Sequence, residues 1–189
     1  DDAPLRAKLG GHGLSIVDDP AALGGWPFDI EGMPSGRLQL VRDGCVTGLG
    51  ADRAGARRIG VPAPGRALRS VTSLWSMTAN LVVDCPSASE AAEYLFVERV
   101  HYVSVLDAMT GMVTCATRDT TTVVRAGRPV AAVPTIRLRI GMPELLRAIR
   151  GGLGPPETVQ VSWGGCVVRT PAIVVSDLPA WSHIYWPRE

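Results

Sequence analysis

Residues 28–60 read FDIEGMPSGRLQLVRDGCVTGLGADRAGARRIG, and this stretch decides the fold class. Val41-Arg42-Asp43-Gly44-Cys45 sets Asp-Gly between two runs of alternating apolar residues. That pair tolerates positive φ at the centre of a tight turn, so the segment predicts a β-hairpin. Asp52 then opens a stretch in which Ala54, Ala56 and the arginines favour helix. Gly60 stops it in the usual post-helical position, two residues before Pro62. Loop, hairpin and short helix follow in immediate succession.

Outward from this stretch the chain remains rich in strands. Leu5 to Ser35 is dense in glycine and proline and reads as loop, with Leu14–Val17 as a short strand inside it. Residues 1–36 together form a loop-rich lead-in. After a further loop at Pro62–Arg69, Ser70 to Asp84 carries two β-rich runs, VTSLW and ANLVVD. Ser87 with Glu90 three residues later forms a capping box, and Ala91, Tyr94, Leu95 and Glu98 follow helical spacing. A helix is therefore expected from Cys85 to Glu98. Val100–Leu106 alternates as a strand, and Asp107–Gly111 is a turn.

Val113–Ile140 reads as a meander, with a second hairpin tipped by Ala126-Gly127 and a period-two strand in TIRLRI. Met142–Arg150 predicts a helix with Pro143 early, where its missing N–H costs nothing, ending at Gly151-Gly152. Val159–Trp163 and Ile173–Ser176 frame a last strand pair. The pattern specifies a β-dominated α+β domain, mainly antiparallel and barrel-like, with two or three short helices. It is expected as a single domain over residues 1–189, closed by an aromatic tail at 179–189. Long βαβ alternation is absent, which argues against a doubly wound nucleotide fold.

The composition bounds the function. With 189 residues, 46% hydrophobic and 20% charged, the chain is long enough to bury a core and is not wholesale disordered. A net charge of +1 gives no electrostatic reason to expect nucleic acid or an anionic membrane surface as partner. No apolar run approaches the roughly 20 residues a spanning helix needs, and no signal sequence opens the chain. Cys45, Cys85, Cys115 and Cys166 lie far apart with no C-x-x-C pair, which fits buried reduced thiols in a cytoplasmic protein. The chain opens on Asp1, so a longer gene product is an open alternative.

The order FD-x-EG-x-P, LV-x-DG, G, D-x-x-x-A-x-x-x-G-x-P resembles the start of the C-terminal domain of the TldD/PmbA family of metallopeptidase-related proteins. The resemblance runs on in order. His101–Leu106 with Met109-Thr110-Gly111 is similar to the family's G-L-Y-V-T-E-L…P-V-T-G segment, although the acid usual after it is Met112 here. Arg125–Val130 matches its I-E-N-G-E-I-V-x-P-V hairpin, Met142–Ile149 its N-L-L-D-L-L-R-x-I helix, and Thr170–Leu178 its terminal P-S-L-x-V-x-x-L strand.

The resemblance implies a subunit in which a longer region precedes this domain. In the catalytic TldD type that region carries His-Glu-x-x-x-His, whose histidines ligate zinc from one helix face while the glutamate activates water. A cysteine of the C-terminal domain completes that site, and Cys166, five positions before Pro171, falls where it would lie. The segment Gly164–Pro171 is shorter than the catalytic loop and looks more like the non-catalytic TldE type, which pairs with TldD as a heterodimer. The implied function is a TldE-like subunit, with no catalytic residue and no cofactor in this chain. Zinc would belong to the partner or to a region outside the chain, and extended or unfolded peptides would be the substrate. Two alternatives stand beside it: the C-terminal part of an active TldD-like peptidase, and a binding or scaffold domain without peptidase role.

Among the candidate side chains, His12, His101 and His183 have no second histidine within a helical turn, so no self-contained His-Glu zinc site exists. His101 alternates within a strand and reads as structural or surface. Arg53, Arg57 and Arg58 read as a solvated helix face. There is no G-x-S-x-G elbow and no G-x-x-x-x-G-K-[ST] loop. Trp181, Tyr185 and Trp186 place three large aromatics within a short tail, which points to an interface with the second subunit.

Overall fold

The computed structural model describes residues 11, 13–69, 74–76, 78, 80–161, 166–176 and 181–184, with the backbone alone for 68, 69, 74–76 and 181–184. Two compact units emerge. One comprises Asp1–Ser87 with Gly151–Val174, the other Ala88–Arg150 with Val175–Glu189.

The first unit is built on a six-stranded sheet. Its strands are β1 (Ser15–Asp18), β2 (Leu38–Arg42), β3 (Cys45–Val46), β6 (Asn80–Asp84), β11 (Ile149–Gln160) and β12 (Val167–Val175), in the order β11-β12-β6-β1-β2-β3. β1 therefore sits inside the sheet, antiparallel to both β2 and β6, with Ile16 opposite Val41 and Val17 opposite Val82. β12 pairs parallel to β6, Val167 opposite Asn80. A small antiparallel pair, β4 (Ala67–Arg69) with β5 (Leu74–Ser76), stands beside this path. Leu14, Val17, Val41, Ala51 and Ala56 form its buried apolar core.

The expected hairpin and helix are present. Asp43 and Gly44 hold φ of 49° and 74°, the two positive values of a primed turn that matches the twist of the strands. The helix α1 (Arg53–Ile59) is capped by the Asp52 carboxylate, which accepts from Gly55 N–H at 2.6 Å. Gly60 ends it in the left-handed conformation.

The second unit is dominated by a long ribbon of β7 (Glu93–Asp107) and β8 (Met112–Arg125). β8 is paired on its other side by β9 (Arg128–Ala132) and β10 (Ile136–Gly141), and β13 (Trp181–Ile184) extends the sheet beyond β10. The helix α2 (Met142–Ala148) carries its proline in the first turn, as expected. Among the described residues both larger sheets are open paths of strands, and no barrel closes.

Two expectations are corrected. Residues 85–98 form no helix: Ser87 makes an isolated bridge to Gly152, and Glu93 already belongs to β7. The capping-box signal is local, whereas Tyr94, Phe96, Val97, Val100 and Val103 are aromatic or β-branched and find a partner strand in β8. The last strand pair is also longer than predicted. β11 starts at Ile149, directly after α2, and passes through Gly151, Gly152, Gly154, Pro155 and Pro156. As the terminal strand of the sheet's path, it can carry prolines whose missing N–H would break a central strand.

Candidate functional site

The most tightly constrained polar cluster gathers at the end of β1. Pro64-Gly65 turns the chain so that Arg66 enters the first unit. Arg66 Nε donates to Asp18 Oδ2 at 2.5 Å, and its Nη atoms donate to the carbonyls of Pro64, Gly65, Gly36 and Asp18 at 2.6–3.3 Å. Asp18 Oδ1 in turn accepts the Asn80 backbone N–H at 3.0 Å. A buried guanidinium is tolerable only with its donors met this completely. Gly65 holds φ +68° against the Pro34 carbonyl, so a side chain there would be both strained and obstructed.

Asp29 anchors the neighbouring loop in the same manner. Oδ1 accepts the N–H groups of Glu31 and Met33, each at 2.9 Å, and Oδ2 accepts that of Ala67 at 2.9 Å. The FDIEGMP loop is thereby tied to β4, one residue from Arg66. Glu31 extends the link, accepting from Arg53 N–H at 2.9 Å at the start of α1.

Cys166 lies buried where β12 begins, beside the rung that pairs Val167 with Asn80. Burial pushes its thiol up from the ordinary value, and the negative charge of Asp18 pushes in the same direction. The acid that acts on Cys166 is itself bound to Arg66 and Asn80. Among the described residues, no three of His, Cys, Asp and Glu converge in a way that could hold a metal ion.

The remaining candidates are placed as follows. His101 stands on β7 opposite Ala116, its ring 4.1 Å from that of Tyr102 and its Nδ1 3.4 Å from Arg118 Nη1. Cys166 belongs to the first unit and His101 to the second. His183 lies on β13 opposite Arg137, so part of the expected tail is sheet. Trp181 starts that strand, opposite Arg139, while His12, Tyr185 and Trp186 lie outside the described residues. Sequence reasoning missed Asp18 and Arg66. No local signal joins positions 48 residues apart.

A family model described as the PmbA/TldA metallopeptidase C-terminal domain matches residues 4–178. The chain belongs to this family. Solved structures agree on the fold of the family domain. TldE from Thermococcus kodakarensis superposes with a TM-score of 0.73 at 16% identity, covering 90% of this chain and 40% of that one. A protein described as a modulator of DNA gyrase from Thermotoga maritima gives 0.69 at 20% identity, covering 95% and 41%. A similarly described protein from Bacteroides thetaiotaomicron gives 0.63 at 16%, covering 90% and 38%. The chain thus spans about two fifths of the length of the structures it matches. No curated protein matches it in sequence.

Proposed function

We propose that this PmbA/TldD-family domain serves in a non-catalytic, TldE-like subunit that pairs with a zinc-bearing TldD-like subunit and helps wall the space where extended peptides are cleaved. The observation that supports this reading most directly is the family match over residues 4–178, with TldE from Thermococcus kodakarensis among the structures that share the fold. Cys166, the chain's candidate metal ligand, is buried at the start of β12, which suits a small packed side chain. A β-rich wall suits an extended peptide, whose backbone can add hydrogen bonds to a sheet edge. The four cysteines are free thiols, which supports a reducing compartment such as the cytoplasm. No described helix is long and apolar enough to cross a membrane.

The test is coexpression with a family member that carries His-Glu-x-x-x-His. Light scattering on the purified pair should give a heterodimer, and peptide cleavage should require the partner. Truncation after Ile184 removes Tyr185 and Trp186 while sparing β13, and should weaken the pair. Cys166→Ala should leave the zinc content of the heterodimer unchanged. Zinc bound by this chain alone and lost in Cys166→Ala would instead favour the catalytic-type reading.

A further inference from the structure

The outer edge of β7 departs from an ordinary edge strand. Its register against β8 shifts between Val97 and Arg99, between His101 and Ser104, and again between Val105 and Asp107. Tyr102 and Asp119, on facing strands, hold φ of 52° and 62°. Aspartate enters that region readily, but a tyrosine there is strained and persists only where its surroundings demand it. Bulges twist an edge and interrupt its row of backbone groups, so this edge is poorly suited to accept a long added strand. What it offers a partner is side chains.

Those side chains divide into a basic end and an apolar end. Arg99 and Arg118 stand directly opposite each other, an arrangement of like charges that is unfavourable unless bridged. Asp119 bridges them, accepting from Arg99 Nε at 2.7 Å and lying 3.6 Å from Arg118 Nε. One carboxylate therefore serves two guanidiniums. Arg118 Nη1 meets the imidazole of His101, which offers no negative charge. Glu98, the nearby acid on β7, is turned to the Thr120 backbone N–H at 3.2 Å. Arg118 is the more loosely held of the two, its Nε 3.6 Å from Asp119 while Arg99 takes the closer bonds, and its fork geometry suits an incoming carboxylate.

The apolar end begins at once. Tyr102, stacked on His101, is 72% exposed, and Val103, Val105 and Leu106 continue the exposed surface to Met109, which is 94% exposed at the hairpin tip. Exposed large apolar side chains gathered at one end of a ribbon mark a docking surface, and Tyr and Arg are favoured interface anchors.

We propose that the strip from Arg118 across Tyr102 to Met109 docks a segment of a partner protein in which a carboxylate adjoins apolar side chains. The complementarity is carried by the loosely paired guanidinium at one end and the exposed apolar side chains at the other. It does not depend on any role in proteolysis.

Fluorescence anisotropy with the full chain tests this, using a short labelled peptide in which glutamates precede a run of leucines. Counterparts carry lysine or glutamine in place of glutamate. The glutamate peptide should bind and the lysine peptide should not. Arg118→Gln should weaken binding by about tenfold, the scale of an interface anchor, with Arg118→Lys retaining part of it. Tyr102→Gly should also lose binding without lowering the melting temperature, because glycine accepts the positive φ. Equal binding of the lysine peptide, or unchanged affinity in both the Arg118→Gln and Tyr102→Gly variants, overturns the proposal. So does a dimer of the chain that Tyr102→Gly dissolves, which would assign the strip to a second copy.

Discussion

Arg66 donates from Nε to Asp18 Oδ2 at 2.5 Å, with only 3% and 1% of the two side chains exposed. The pair fastens the Pro64–Arg66 turn to the end of β1, and the Asn80 N–H on the same carboxylate brings in β6. Removing one partner strands the other charge without solvent. Asp18→Asn should therefore cost about 3–5 kcal/mol, read as a lower urea midpoint with unchanged slope. Arg66→Met with Asp18→Leu should be milder than either single change, since no charge is left behind. A single variant as stable as the parent would show the pair to be dispensable.

Gly65→Ala should destabilise the first unit by about 1–3 kcal/mol. The residue sits at φ +68°, and a β-carbon there would meet the backbone carbonyl of Pro34, which cannot swing aside as a flexible side chain can. Thermal unfolding of the variant checks this. An unaltered melting temperature would mean that the 64–66 turn relaxes freely.

Asp107 caps the β7–β8 turn. The Thr110 hydroxyl, at 2.8 Å, and the Met109 N–H, at 2.9 Å, hold its carboxyl below the usual aspartate range. A lowered folded value means that the turn's added stability is present above the unfolded aspartate's pKa of about 3.9 and fades as pH falls through the folded one. An NMR titration should find the Thr110 amide moving with a midpoint below about 3.9. A midpoint at or above it would contradict the cap.

The thiol of Cys166 gives the opposite sign. Its value is raised by burial and then by Asp18, so the unfolded chain gives up this proton more readily than the folded one. The stabilisation is complete below the unfolded thiol's pKa of about 8.5 and declines as pH rises through the folded value. Urea midpoints under reducing conditions should therefore fall between neutral pH and about pH 9.5, and fall less in Cys166→Ala. An equal decline in both would exclude Cys166 as a contributor. Native Cys166 should also react slowly with iodoacetamide at pH 8, and a rate matching a free peptide thiol would count against a protonated buried group.

Local signals were legible where structure is local. Asp43-Gly44 and Gly127 announced their turns, and Gly60 the end of α1, because glycine and aspartate accept positive φ; Asp52 announced the start of α1 because its short carboxylate can accept the Gly55 N–H. The Ser87–Glu90 box misled because a capping signature cannot know that a strand as long as β8 waits downstream for Glu93–Asp107. β11 was hidden by its glycines and prolines, which read as loop until a neighbouring strand gives them a ladder. At the cluster, Cys166 could be singled out from the resemblance alone. Asp18 could not, since its meaning depends on a guanidinium 48 positions away.

The parallel pairing of β12 with β6 has a consequence for the birth of the chain. Asn80–Val82 leave the ribosome with one edge still waiting for Val167–Arg169, and all of β7 to β10 is made in between. During synthesis that edge is exposed, apolar and able to recruit a stranger's strand. That side of β6 can be paired only after Val167–Arg169 has been made, so the sheet of the first unit cannot be completed in the order of synthesis.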